Sequence, residues 1–529
     1  MRILTVAVAF FMISISVSAF FSQFPDPAID IIHYEFNLNL NDTTDNIEGR
    51  TIIMLVFRDP VSEITFDFKN YDSTGKGMKT ASVTFDREDV KWHHEDNMLK
   101  INPGKMISCG DTGIISIDYS GIPADGLIIS RNKFGNRTFF SDHWPDRASN
   151  YLPVVDHPSD KATVDFIITA PWRYEVVGSG HLIEESDLPG GERLTHWKED
   201  VPLPVKVMAF GAASFATSLA GVVENIPVWS WVYAENREEG FNDYAIAVKP
   251  LAFYCRLIGP YSFEKLANVQ SKTIFGGLEN AGCIFYSENS VTGQGRAESL
   301  IAHEIAHQWF GNSVTEKDWH HIWLSEGFAT YLTSVYLEKT YGVEQLAKSM
   351  SAARERVIRY YERNPAPVID TTITDLMKLL NANSYQKGAW VLHMLRFEIG
   401  EEDFWKGIRL FYERYRYGNA LTDDLRQVME DVSGRDMGWF FHQWLYVAGQ
   451  PDLKITTGEG NVKGTIIVSI EQMQDYLFTF NLELGLKDSK GIRNEKIRVS
   501  DKITWISLKA DPDALITIDP EVRLLFRKK

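Results

Sequence analysis

Tyr34, Phe36, Leu38 and Leu40 alternate with polar residues, the period of two that sets apolar side chains on one face of a β-strand. Similar short runs recur to about residue 220, separated by Gly, Pro, Asn and Asp turns, and they predict an all-β amino-terminal domain over residues 20–226. From about Pro227 the spacing lengthens to that of a helix. Helical runs fall at 297–310, 323–340, 343–364, 390–399 and 404–415, so residues 227–450 read as a mostly helical domain. After Gly449-Gln450-Pro451 the alternation returns, clearest at Phe478, Phe480, Leu482, Leu484 and Leu486, and it predicts a small β-sandwich over 451–529. The order β, α, β describes a multidomain α+β protein, and no internal repeat interrupts it.

Length agrees, since 529 residues exceed the size at which one apolar core keeps growing. A formal net charge of -17, with no basic stripe to neutralise phosphates, excludes nucleic acid as a partner. At the amino terminus Met1-Arg2 precedes an almost wholly apolar run from Ile3 to Val17, and Val17-Ser18-Ala19 offers small residues for cleavage. Residues 1–19 therefore read as a secretory signal peptide, which places the mature protein outside the cytoplasm, periplasmic or secreted, without a membrane partner. Retention of the segment as a membrane anchor stays open. Cys109, Cys255 and Cys283 are too few and too scattered for a metal or redox motif, and buried free thiols are expected.

The candidate chemistry lies in His303-Glu304-Ile305-Ala306-His307 and in Glu326, after 18 intervening residues. Two histidines four apart share one helix face and can reach one metal ion, with the adjacent glutamate beside the open coordination position. Two histidines and a glutamate are a recurrent ligand set of catalytic zinc, with water in the fourth place. Read blandly, His303 and His307 would be core histidines and Glu326 a solvated carboxylate. The context favours the metal, because a helical pattern stops at Gly311 and a second helix runs through Glu326, so two helices can hold an ion between them.

The segment resembles the gluzincin aminopeptidases related to aminopeptidase N, in which the zinc motif is followed by Trp-Leu-x-Glu-Gly-Phe-Ala, here Trp323 to Ala329. Gly276-Gly277-Leu278-Glu279-Asn280 is similar to that family's Gly-x-Met-Glu-Asn, with Leu278 in place of methionine, and Tyr385-Gln386-Lys387-Gly388-Ala389 is similar to the segment carrying its catalytic tyrosine. The resemblance implies a saddle-shaped β domain, a thermolysin-like catalytic domain and a β-sandwich. It implies one Zn2+ per chain on His303, His307 and Glu326, Glu304 as general base and then acid, and Tyr385 as donor to the oxyanion. Glu279 would pair with the free α-ammonium of a peptide, Gly276 and Gly277 would admit its backbone, Leu278 would line the pocket for the first side chain, and Asn280 would belong to the same substrate-binding stretch. Many relatives add a helical domain beyond the point where this chain ends, at Lys529, so a more open cleft is expected, unless a partner or a dimer covers it.

The expected activity is a zinc-dependent aminopeptidase acting on peptides with a free amino terminus. A bifunctional aminopeptidase and epoxide hydrolase stays open, as does a catalytically inactive peptide-binding scaffold, although no ligand, nor Glu304, nor Tyr385 is missing. Oligomeric state is unread. Asp142, counted back from Pro153-Val154-Val155-Asp156-His157-Pro158, falls where relatives place a substrate-contacting glutamine. It is either a second cleft carboxylate favouring basic first residues or a solvated loop aspartate in Ser-Asp-His-Trp-Pro-Asp.

Overall fold

A computed structural model describes residues 27–511 and 513–529. The expected signal segment lies outside the described residues. The chain is a multidomain α+β protein with a β-rich amino-terminal part, a helical middle and a β-rich carboxy-terminal part.

The first alternating run becomes the strand Ile29–Asn39, central to an eight-stranded sheet. It pairs antiparallel with Ile47–Phe57 and parallel with Ala162–Pro171, so that Phe36 lies between Thr51 and Phe166. Tyr34, Phe36, Leu38 and Leu40 are all buried, as the period of two requires.

The next sheet carries the site. Its five strands run in the order Phe215–Val223, Ile226–Tyr233, Leu266–Ser271, Cys283–Ser287 and Gly277–Leu278, with the last antiparallel at the edge. The expected domain boundary at 226/227 falls inside this sheet, after the first residue of its second strand. Alternation alone cannot assign a strand to a sheet, because hairpin partners look the same whichever core they cover.

The helices of the middle part are α1 (Arg237–Tyr244), α2 (Val248–Leu257), α3 (Glu298–His307), α4 (Trp323–Tyr341), α5 (Val343–Tyr361), α6 (Gly388–Ile399), α7 (Glu401–Tyr415) and α8 (Thr422–Ser433), of which α1, α2 and α3 pack against this sheet. The run expected over 297–310 closes as a helix at His307. Gln308 and Trp309 then bond back three residues, to the carbonyls of Ile305 and Ala306, which tightens the turn before Gly311. Phe478, Phe480, Leu482, Leu484 and Leu486 are buried between two sheets of four and three strands, and their core is continuous with that of the helices.

Candidate metal centre

Helix α3 sets His303 and His307 one above the other, with their Nε2 atoms 3.1 Å apart. Helix α4 brings Glu326 Oε2 to 3.4 Å from His303 Nε2 and 3.3 Å from His307 Nε2. Ligands about 2.0–2.1 Å from a tetrahedral zinc stand about 3.3–3.4 Å from one another, so the three atoms fit such an ion. The tautomer fits as well. His307 Nδ1 lies 3.2 Å from the Phe310 carbonyl and 3.0 Å from Ser325 Oγ, and donation to that carbonyl leaves the Nε2 lone pair facing a carboxylate oxygen. Two acceptors face to face call for a cation between them. Gly311, at φ +126°, lets the chain turn here, since a Cβ would stand 2.4 Å from Ser325 Oγ and 3.0 Å from His307 Nδ1.

Glu304 projects from the next face of α3 and is buried beneath the edge strand Gly277–Leu278. A Cβ on Gly277 would sit 2.3 Å from Glu304 Oε1, so this glycine leaves the carboxylate its place. Gly276 faces open space. Burial raises the Glu304 carboxyl well above its usual range, Glu279 and Glu326 push the same way, and His307 opposes them.

Glu279 follows that strand and is buried. Its carbonyl accepts hydrogen bonds from Gln308 Nε2 at 2.9 Å and Asn312 Nδ2 at 2.6 Å, whereas its Oε1 has no hydrogen-bond partner among the described residues. The backbone is clamped and the carboxylate is left for something else. Gln308 and Asn312 escaped the sequence reading, although Gln308 stands one turn beyond Glu304 on the same face. Leu278 is buried in the apolar cluster containing Phe140, Trp144 and Phe285, and Asn280 is buried beside Glu279 with its Nδ2 unpartnered among the described residues.

Tyr385 lies in a π-helical turn, Asn383–Lys387, a rare conformation often found at functional sites. Its ring stacks on His303 at 6.1 Å between centroids. Burial, reinforced by Glu326, Glu279 and Glu304, holds its phenol protonated and therefore a donor. The approach depends on two glycines: a Cβ on Gly327 of α4 would meet Gly388 Cα at 2.9 Å, and one on Gly388 would meet Gly327 Cα at 3.0 Å.

Asp142 corrects both expectations. It is wholly buried, not a solvated loop residue, and it is not a free second carboxylate beside Glu279. Oδ1 pairs with Arg147, while Oδ2 accepts from Thr273 Oγ1 at 2.9 Å and the Ile274 backbone N–H at 3.0 Å. The polar loop composition concealed these partners. Cys255 and Cys283 are buried and Cys109 is exposed, all three as free thiols.

Residues 31–205 match the peptidase M1 N-terminal domain and residues 244–444 the peptidase family M1 domain. The mitochondrial aminopeptidase 2 of Saccharomyces cerevisiae is 25% identical over 92% of this chain and 54% of its own length. Endoplasmic reticulum aminopeptidase 2 of Bos taurus is 33% identical over 59% of this chain and 35% of its own. The chain spans about half the length or less of these curated relatives. Among solved structures, aminopeptidase A of Legionella pneumophila, in complex with aspartic acid, shares the fold at a TM-score of 0.81 and 18% identity, over 96% of this chain and 60% of that one. The M1 zinc metallopeptidase of Deinococcus radiodurans does so at 0.69 and 23%, over 80% and 95%. With both family domains matched, in order and over most of its length, the chain belongs to peptidase family M1.

Proposed function

We propose that the protein is a zinc-dependent aminopeptidase that removes single residues from the amino termini of peptides, with one metal ion per chain. The observation that carries this reading is the buried, unpartnered carboxylate oxygen of Glu279 beside the convergent His303, His307 and Glu326. A buried acceptor without a partner is costly, and a peptide's α-ammonium would satisfy it. Binding there sets the first peptide bond against the three ligands and so defines an exopeptidase.

Zinc, when bound by His303, His307 and Glu326, supplies an electrophile that polarises the scissile carbonyl and acidifies the attacking water. Glu304 takes the proton from that water and returns it to the leaving amine; its raised proton affinity suits a group that must hold the proton in between. Tyr385, kept neutral, donates its phenolic proton in a hydrogen bond to the oxyanion. Gly277 keeps Glu304 in place, and Gln308 and Asn312 fix the Glu279 backbone. The apolar run before Val17 supports a site of action outside the cytoplasm.

A panel of aminoacyl amides, each with and without chelator, tests the reading together with amino-acetylated peptides of the same sequences. Turnover should require both the metal and the free amine. Efficient internal cleavage of acetylated peptides would show an endopeptidase instead.

A further inference from the structure

A cavity of about 410 Å³ opens beside the ligand cluster, walled on the metal side by His303 and Tyr385 and otherwise by α3, α4, α5, Gln386 and Ala389. It lies away from Glu279. On α3, Glu304 and Gln308 face the strand that carries Glu279, whereas Leu300 and His303, about 100° round the helix, face the cavity. A peptide whose ammonium sits at Glu279 and whose first peptide bond lies against the ligands must send its next residue toward this space.

The charge of the cavity differs from that of its surroundings. The chain carries a net charge of -17, and the buried carboxylate of Glu279 marks the amino side of the site. No Asp or Glu lines the cavity; its walls are hydroxyl and apolar groups such as Thr330, Ser334 and Leu300, and its guanidinium is that of Arg356. Arg356 forms no ion pair or hydrogen bond among the described residues. Its neighbour on α5, Arg354, is by contrast bound to Asp519 and the Leu524 carbonyl. A fixed anionic side and an unpaired cation opposite it complement a substrate that is positive at its amino end and negative just beyond the scissile bond.

Resting on the aminopeptidase reading, we propose that Arg356 is a specificity-determining residue, receiving a carboxylate on the residue that leaves. That carboxylate is either an acidic side chain at the second position or the terminal carboxylate of a dipeptide. Arg356 is exposed, and an exposed charge-assisted contact supports a preference of about two- to fivefold in kcat/KM.

Four substrates decide it: Ala-Ala amide, Ala-Glu amide, Ala-Lys amide and free Ala-Ala, assayed on the metal-loaded full chain. The wild type should favour Ala-Glu amide or free Ala-Ala over Ala-Ala amide, and which of the two it favours identifies the source of the carboxylate. In Arg356→Gln that ratio should fall to near one, and Arg356→Glu should turn the preference toward Ala-Lys amide. Raising the salt concentration should narrow the wild-type ratio. Hydrolysis of all four without discrimination, or a preference unchanged in both variants, overturns the role of Arg356 and leaves the aminopeptidase reading standing. No hydrolysis of any of them overturns the aminopeptidase reading, and this inference falls with it.

Discussion

Replacing Gly388 by alanine is expected to damage catalysis through Tyr385 while leaving the metal in place. The added Cβ would lie 3.0 Å from Gly327 Cα and 3.5 Å from Trp323 Cβ. Carbon atoms rest at about 3.5–4.0 Å, so α4 and α6 must part by roughly 0.5–1 Å. Overpacking of this kind costs about 1–3 kcal/mol of stability. The displacement falls between Glu326, one residue before Gly327, and the π-helical turn Asn383–Lys387, which Gly388 follows. A misplacement of about 1 Å at a reacting group can cost about a hundredfold in rate. We therefore expect Gly388→Ala to lower kcat/KM on an alanyl amide by roughly ten- to a hundredfold, with zinc content by mass spectrometry unchanged. A double-mutant cycle supplies the decisive control, because a Gly388 that acts through the phenol should cost little more in a Tyr385→Phe background. Wild-type turnover in Gly388→Ala, or the full loss repeated on top of Tyr385→Phe, would refute the reasoning.

Glu304→Gln should retain about one zinc per chain and lose nearly all turnover, and Tyr385→Phe should lower turnover about a hundred- to a thousandfold with substrate affinity spared; steady-state kinetics with metal analysis checks both. Asp142→Asn should lower thermal stability by about 1–3 kcal/mol, since it weakens the pair with Arg147, and should affect Ala, Leu, Arg and Lys amides alike. A loss confined to the Arg and Lys amides would return that carboxylate to the cleft. Burial pushes the Asp160 carboxyl up to about 7, so the folded chain holds a proton that the unfolded chain releases in the ordinary carboxylate range, and stability should fall as pH rises through that window. Asp160→Asn should flatten the fall between about pH 4 and pH 7 in denaturant titrations; an unchanged slope would assign it to other groups.

What could be read in advance was what is local or periodic. Tyr34 to Leu40 and Phe478 to Leu486 announced their buried faces because one face of each strand meets a core. His303 and His307 are neighbours by helix geometry, and Glu326 was legible only through its spacing and the Trp-Leu-Ser-Glu-Gly-Phe-Ala context. What stayed hidden depends on contacts between distant segments. Nothing near Gly327 indicates that Gly388 will lie against it. Ser-Asp-His-Trp-Pro-Asp has the composition of a solvated loop, yet Thr273 and Ile274 arrive from far along the chain to bury Asp142. The strand Phe215–Val223 alternates like those before it and nevertheless joins the sheet of the catalytic domain.

The two functions proposed for the site, holding a metal and holding a peptide's amino end, meet in one short stretch of chain. His303 and His307 would supply two ligands, and Gln308 and Asn312, in the turn that follows, hold the carbonyl of Glu279. The edge strand Gly277–Leu278 has only two ladder residues of its own, too few to set its position firmly. Its place is therefore reinforced by Gln308 and Asn312, which follow the candidate ligands along the chain. The spacing between Glu279 and the candidate ligands is set by residues 303–312 together with the β domain, whose Val207 carbonyl accepts the Ala281 backbone N–H at 2.9 Å. The β domain also enters through Asp142, which holds the loop at Thr273 and Ile274 that leads into Gly276. Changes at Asp142 should accordingly alter how readily a peptide enters, whereas loss of Gln308 or Asn312 should alter where it is cut.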